Sequence, residues 1–182
     1  LTEDIIRFVA DSRKFMPHFH IPLQSGSNRV LGLMSRRYRR ELYAERVAMI
    51  KAAMPHCCIG VDVIVGFPGE SEEDFTETLN FLHELDVSYL HVFTYSERPN
   101  TPALDIRPAV PVEKRHERNK ILRNLSYQKM QYFTAQHSGS VRSTLWEGHN
   151  RNGMMEGYTD NYIKVQTSFR AEWINQITGW KI

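Results

Sequence analysis

Apolar residues along the first two thirds of the chain switch repeatedly between helical and strand spacing. In residues 2–13, Ile5, Ile6, Val9 and Ala10 recur at helical intervals, and in residues 15–23 Phe19, Ile21 and Leu23 alternate with His18, His20 and Pro22. Residues 38–54 return to a helical stripe of Tyr43, Val47, Ile50 and Met54, and Pro55 then stops the helix. A second strand is predicted over 59–67, with Val61, Val63 and Val65 on one side and Asp62, Ile64 and Gly66 on the other. The run is nearly continuous in apolar character, as expected of a parallel strand covered on its outer face. Ser71 and Asp74 have capping-box spacing, and Phe75, Leu79, Leu82 and Leu85 supply the buried stripe of the helix they open. Residues 88–95 form the third predicted strand.

This alternation argues for right-handed βαβ units and an α/β fold with a parallel sheet or barrel. The pattern begins on a helix and shows only three strands, which cannot close a barrel, so the chain is either an open sheet or a piece of something larger. After a Pro-rich connection over 99–111, a long helix is predicted over 112–135 with Ile121, Leu122, Leu125, Tyr132 and Phe133 facing the core. Beyond Gly139 the texture changes. Strand-like segments at 140–146, 154–158 and 162–167, separated by Gly, Asn and Asp turns, predict a small antiparallel module. Two regions follow, residues 1–136 and residues 138–182.

Composition adds mainly exclusions. Lys and Arg number 23 against 21 Asp and Glu, so any affinity for nucleic acid must be local. No apolar run reaches the length of a bilayer span, and the first residues read as an acidic amphipathic helix start without the layout of a signal peptide, so the expected compartment is the cytoplasm. The two cysteines, Cys57 and Cys58, are adjacent, a poor geometry for a disulfide and the wrong one for a zinc or iron–sulfur ligand set. They read as small buried residues, and no metal ligand is assigned to this chain.

In parallel α/β folds, chemistry gathers where the strands end, because the loops there can vary without disturbing the sheet. Three loops therefore stand out. Residues 24–28 offer a glycine and hydroxyls as partners for a ribose or carboxylate; residues 66–70 contain two glycines that would let backbone approach a flat ligand; residues 95–102 are polar and stiffened by proline. His20, Asp62 and His91 all fall opposite the aliphatic row of their strands and would point into a barrel interior, as a buried hydrogen-bonded network or as part of a ligand cavity.

The strings HIPLQSGSNRVLGLMSRRY, DVIVGFPGESEEDF and HVFTYSERPNTPA, in this order, resemble the second half of the radical S-adenosylmethionine domain of methylthiotransferases. The string SVRSTLWEGHNRNGMMEGYTDNYIKV resembles the start of a TRAM domain, the small β-barrel with which these enzymes hold RNA. The resemblance implies a (β/α) barrel of which this chain carries the second half, followed by an incomplete antiparallel TRAM-like module. It also implies a reaction in which one 4Fe–4S cluster cleaves S-adenosylmethionine to a radical, the radical abstracts hydrogen from the base, and a second 4Fe–4S cluster delivers sulfur. By position, Gln24 and Ser25 would lie near the ribose or methionine portion of the cofactor, Gly66 and Phe67 near adenine, and Phe93 and Tyr95 along the cavity wall. Glu70 is expected to bond its own loop. The CxxxCxxC motif that holds the radical-forming cluster in this family is absent, as is the domain bearing the second cluster. The chain therefore reads as an inactive fragment of such an enzyme. Asn100 stands where the family often has glycine, a mild change because asparagine tolerates left-handed angles.

The strings YSERPNTPA and GMMEGYTDNYIKV look most like the branch acting on threonylcarbamoyladenosine beside the tRNA anticodon, which makes the anticodon stem-loop the expected partner. The alternatives are the isopentenyladenosine branch, the branch modifying an aspartate of a ribosomal protein, and, from another class, a non-catalytic RNA-binding module. Arg29, Arg36, Arg37, Arg39 and Arg40 form a basic cluster suited to phosphates, and Arg98 joins the candidates for RNA contact. Lys114, Arg115, Arg118, Lys120 and Arg123 on the long helix read more simply as a solvated face paired with Glu113 and Glu117. Trp146, Tyr158 and Tyr162 are candidates for base stacking or for the core of the terminal module.

Overall fold

A computed structural model of the chain describes residues 1–148 and 152–182; residues 149–151, within the string that resembles the start of a TRAM domain, lie outside them. Helix α1 (Glu3–Asp11) leads into β1 (His18–Gln24), then α2 (Asn28–Leu33), α3 (Arg40–Ala53), β2 (Cys58–Val65), α4 (Glu72–Glu84) and β3 (Tyr89–Thr94). The strands form one parallel sheet in the order β1-β2-β3. One face carries the aliphatic rows: Leu23 on β1, Ile59, Val61, Val63 and Val65 on β2, and Leu90 on β3 pack with Ile6 of α1, Val47 and Ile50 of α3 and Phe75 and Leu82 of α4 in a single core. The helices form because each presents such a stripe to the sheet. Helix α4 is also fixed at its start, where the Ser71 hydroxyl accepts from the Asp74 N–H and the Asp74 carboxylate accepts from the Ser71 N–H, the capping box expected from the sequence.

The short helix α2 is additional to the elements read from the sequence. It is a single turn and a half buried through Val30 and Leu31, too short to show a period. A 25-residue helix, α5 (Val112–Gln136), packs along β3 and buries Leu122, Leu125 and Phe133 as expected. Ile121 and Tyr132, expected in its core stripe, are exposed instead. Arg115 and Arg118 take the buried positions nearer the helix start, so that stripe is charged where it crosses the strand ends.

The remaining chain forms β4 (Val141–Trp146), β5 (Met154–Thr159), β6 (Lys164–Ser168) and β7 (Ile177–Lys181), an antiparallel sheet in the order β6-β5-β4-β7. Strand β7 is additional to the segments read from the sequence, since Ile177, Gly179 and Lys181 make no apolar row. Trp146 is fully buried, its ring 5.3 Å from that of Trp173 and 5.1 Å from that of Trp180, and its indole N–H donates to Thr178 Oγ1 at 2.8 Å. Of the two readings of Trp146, core and base platform, the structure gives the core. This module seats where the parallel strands begin: the Tyr162 ring stacks on His18 at 4.2 Å, Asn161 Nδ2 donates to the His56 carbonyl at 3.2 Å, and Ile163 packs with Cys58, Tyr89 and Phe133. No helix among the described residues is long and apolar enough to cross a membrane.

Candidate functional site

The segments that follow β1, β2 and β3 bound a cleft of about 550 Å³ at one end of the parallel sheet; of the residues expected around a cofactor, Phe67, Phe93 and Tyr95 line it, whereas Gln24, Ser25 and Gly66 stand outside its lining. Its lining joins apolar surface from Leu33, Met34, Ile64, Phe67 and Phe93 to the polar groups of Thr94, Tyr95, Ser96, Arg36 and Arg98. Phe67 meets Tyr95 edge to face at 5.3 Å, which fixes one ring against the other. The Tyr95 hydroxyl is buried and has no hydrogen-bond partner among the described residues, a departure from the rule that buried polar groups are paired.

The chain devotes several buried groups to shaping these loops. At Gly66 the backbone is left-handed (φ +76°), and a Cβ there would lie 2.3 Å from Arg115 Cγ. The glycine therefore makes room for an arginine. Gly69 (φ +80°) likewise packs toward Leu33 and Ile106. Glu70 bonds its own loop as expected: its Oε2 accepts from the N–H groups of Gly66 at 2.8 Å and Phe67 at 3.3 Å, and its Oε1 accepts from Arg118 Nη1 at 2.8 Å. Arg118 also donates to the Ser71 carbonyl and to Glu72. Arg115 donates to the carbonyls of Val110 and Tyr95 and pairs with Glu97 at 2.7 Å. These two buried arginines fix two of the three loops. The sequence offered only their spacing on a helix, which suggested a solvated face.

The first loop turns inward. Ser25 is buried, its hydroxyl 3.2 Å from Thr78 Oγ1 and accepting from the Ser27 N–H at 3.1 Å, while the Ser27 hydroxyl donates to Asp74 at 2.8 Å. Gly26 permits this close approach, because a Cβ would lie 2.8 Å from the Thr78 Cα. Gln24 adopts a left-handed conformation (φ 73°) beside a register shift after Pro22, held by hydroxyls of Tyr38 on the Leu23 carbonyl (3.0 Å) and Tyr43 on the Ile21 carbonyl (2.7 Å). Asn100 is also left-handed (φ 64°), the angle its place in a glycine-tolerant turn suggested.

The arginine cluster divides. Arg29 is clasped by the Asp74 carboxylate and the Gly69 carbonyl, and Arg40 by Glu77 (2.7 Å), Glu41 and the Gly26 carbonyl. Arg40, a candidate for RNA contact, is thus committed to the fold. Although burial pushes the Asp74 carboxyl up, hydrogen bonds from Arg29, the Ser71 N–H and the Ser27 hydroxyl outweigh it and hold the group well below the usual carboxylate range. Arg36, Arg37, Arg39 and Arg98 are exposed and have no ion-pair partner among the described residues; Arg36 and Arg98 stand at the cleft.

On the sheet face opposite the aliphatic core, His20 Nε2 lies 2.6 Å from Asp62 Oδ1 and His91 Nδ1 3.7 Å from the same oxygen. This is the shared side predicted from strand parity.

The cleft suits a sulfonium nucleoside such as S-adenosylmethionine. It offers aromatic faces to a base, hydroxyls to a ribose and guanidinium groups to a carboxylate, within the size range of small-ligand pockets. The cysteines do not suit an iron–sulfur cluster. Both are fully buried near the start of β2, away from the cleft, and burial pushes Cys57 up to about 12 and Cys58 to about 11, which keeps them thiols.

Residues 1–82 match the family model for the radical SAM superfamily. Threonylcarbamoyladenosine tRNA methylthiotransferase MtaB of Aquifex aeolicus is 43% identical over 91% of this chain, and that of Bacillus subtilis 40% identical over 100% of it. A tRNA-2-methylthio-N(6)-dimethylallyladenosine synthase of Clostridium tetani is 38% identical, also over 100% of the chain. The chain spans about two fifths of the length of these curated relatives, 39–41%. Among solved structures, coproporphyrinogen III oxidase (HemN) of Escherichia coli, described as a radical SAM enzyme, superposes with a TM-score of 0.52 over 75% of this chain and 30% of its own, at 19% identity, a likeness of fold. With similarity to methylthiotransferases running the length of the sequence and the radical SAM match over its first 82 residues, the chain fits the radical SAM methylthiotransferase family.

Proposed function

We propose that this chain is part of an enzyme that places a methylthio group on threonylcarbamoyladenosine beside the tRNA anticodon. The observation that carries the reading is the 43% and 40% identity to two methylthiotransferases named for that nucleoside. S-adenosylmethionine, when bound with the 4Fe–4S clusters of the family, supplies the radical chemistry and the sulfur transfer; the thiolates that hold the clusters are not among the residues of this chain.

The chain's own residues bind and orient. Phe67 and Tyr95 present the aromatic edge for adenine, and Phe93 forms the opposing wall. Gly66 and Glu70 set the turn that holds Phe67 in place. Gln24, outside the cleft lining, is assigned to the ribose or methionine side from its place after β1, and Ser25 acts through the loop it ties to α4. Arg36 and Arg98 meet a carboxylate or phosphate at the cleft, and the exposed Arg37 and Arg39 are assigned to the phosphates of the anticodon stem-loop. The four-stranded module is read as TRAM-like and adds RNA contact away from the cleft. The cytoplasm, where tRNA is found, is the compartment that goes with this activity.

Nucleoside analysis of tRNA from a strain lacking the intact gene tests the reading. The 2-methylthio form of threonylcarbamoyladenosine should vanish while threonylcarbamoyladenosine itself accumulates. Loss of the methylthio group from dimethylallyladenosine instead would favour the second reading, to which the 38% identity with the Clostridium tetani synthase lends weight. An unchanged nucleoside profile would exclude both.

A further inference from the structure

His20, Asp62 and His91 come one from each strand of the parallel sheet, and one donor atom from each lies within 4.8 Å of the others. We propose that they form a binding site for a divalent first-row transition metal, with zinc as the representative ion, separate from the cofactor cleft and independent of the methylthiotransferase reading. Two imidazole nitrogens and one carboxylate oxygen are the donors such ions prefer, and three protein ligands with an open position is the pattern of reactive rather than purely structural sites.

The geometry is close to what a metal requires. Bonds of about 2.0–2.2 Å in tetrahedral array set donors roughly 3.3–3.6 Å apart, and the separations of 2.6 Å and 3.7 Å from Asp62 Oδ1 fall on either side of that. A hydrogen bond between His20 and Asp62 accounts for the first distance; it does not account for His91 converging on the same oxygen. The partner of the ring is also in place. The Tyr89 hydroxyl lies 3.5 Å from His20 Nδ1 and 2.9 Å from His18 Nε2, so it orients the His20 ring and leaves Nε2 toward the carboxylate. Gly60 leaves the space that the Tyr89 ring fills, since a Cβ there would be 2.3 Å from it.

The site is reachable. Within this chain the side chains of His91, His20 and Asp62 are 52%, 33% and 23% exposed, so its own packing leaves a coordination position open. Ile64 and Phe93 of the cleft lie two residues farther along β2 and β3, about 6.6 Å up the same face. A metal there would sit under the floor of the cleft. No short motif marks such a set, because His20 and Asp62 are 42 residues apart; strand parity gives the shared face, and strand pairing brings the donors together.

Cobalt(II) titration of the 182-residue chain, read by visible absorption and equilibrium dialysis, tests the site. The expected result is one ion per chain, displaced by zinc, with ligand-field bands and no thiolate charge-transfer band. Affinity should fall by at least about tenfold in Asp62→Asn and in His91→Gln, and should hold in a control variant, His83→Gln, an exposed histidine away from the set. Circular dichroism checks that each variant keeps its fold, which partial exposure of all three side chains favours. Failure of the wild-type chain to bind cobalt or zinc, binding unchanged in both ligand variants, or an equal loss in His83→Gln would overturn the proposal.

Discussion

Replacing Arg118 by Met isolates the buried charge pair that shapes the loop after β2. The Arg118 and Glu70 side chains are 4% and 5% exposed, with 2.8 Å between Nη1 and Oε1. Methionine matches the aliphatic stem but leaves the Glu70 carboxylate without its cation. Breaking a buried pair from one side costs about 3–5 kcal/mol. The low end applies here, because Glu70 keeps the N–H groups of Gly66 and Phe67, and because Arg118 Nε is itself buried without a partner, a cost the substitution removes. At about 3 kcal/mol and about 2–4 °C per kcal/mol for a chain of this size, the midpoint should drop by ~6–12 °C. Thermal and urea unfolding at neutral pH measure it. Adding Glu70→Gln should recover part of the loss, since the amide oxygen still accepts from both N–H groups and carries no charge; coupling of about 1–3 kcal/mol is expected in the double-mutant cycle. A loss below about 1 kcal/mol for Arg118→Met, or strict additivity with Glu70→Gln, would refute the picture of a desolvated pair holding this loop.

Other substitutions probe the same architecture. Gly66→Ala should destabilise by more than the roughly 1–2 kcal/mol of a left-handed alanine, because the new Cβ must also displace Arg115, and the same unfolding assays report it. The depressed carboxyl of Asp74 gives stability that is fully present above its unfolded value of about 3.9 and lost as pH falls through the folded one. The stability gap between wild type and Asp74→Asn should therefore be flat from neutrality to about pH 5 and shrink in stronger acid, as read from urea midpoints across pH. Tyr162→Ala removes the ring stacked on His18, and should raise hydrogen exchange in β5 and β6 while leaving β2 protected. Cys57 and Cys58 should resist alkylation at neutral pH in the folded chain and react fully in urea; ready reaction of either under native conditions would contradict their burial.

The parallel sheet was legible because β2 is almost wholly apolar and its neighbours alternate cleanly, so the register of hydrophobic residues fixed which side each polar group takes. That is why the shared face of His20, Asp62 and His91 could be foreseen from strand parity alone. Local polar chemistry was legible where partners are close in sequence, as in the capping box of Ser71 and Asp74 or Glu70 with its own loop. Partners far apart in sequence were not. Arg115 and Arg118 read as a solvated face, yet their partners Glu97, Glu70 and Glu72 lie on loops and a helix start that only the tertiary fold delivers. The serines after β1 suggested a ligand site for the same reason in reverse: Thr78 and Asp74, which occupy their hydroxyls, approach from α4.

Complementation tests the proposed role of the cleft at the strand ends in methylthiolation of tRNA. In a strain lacking the intact gene, the wild-type gene should restore 2-methylthio-threonylcarbamoyladenosine, whereas one carrying Arg36→Ala with Arg98→Ala, two exposed residues at the cleft, should express equally and leave the nucleoside unmethylthiolated. Full restoration by the double variant would contradict the assignment of the cleft.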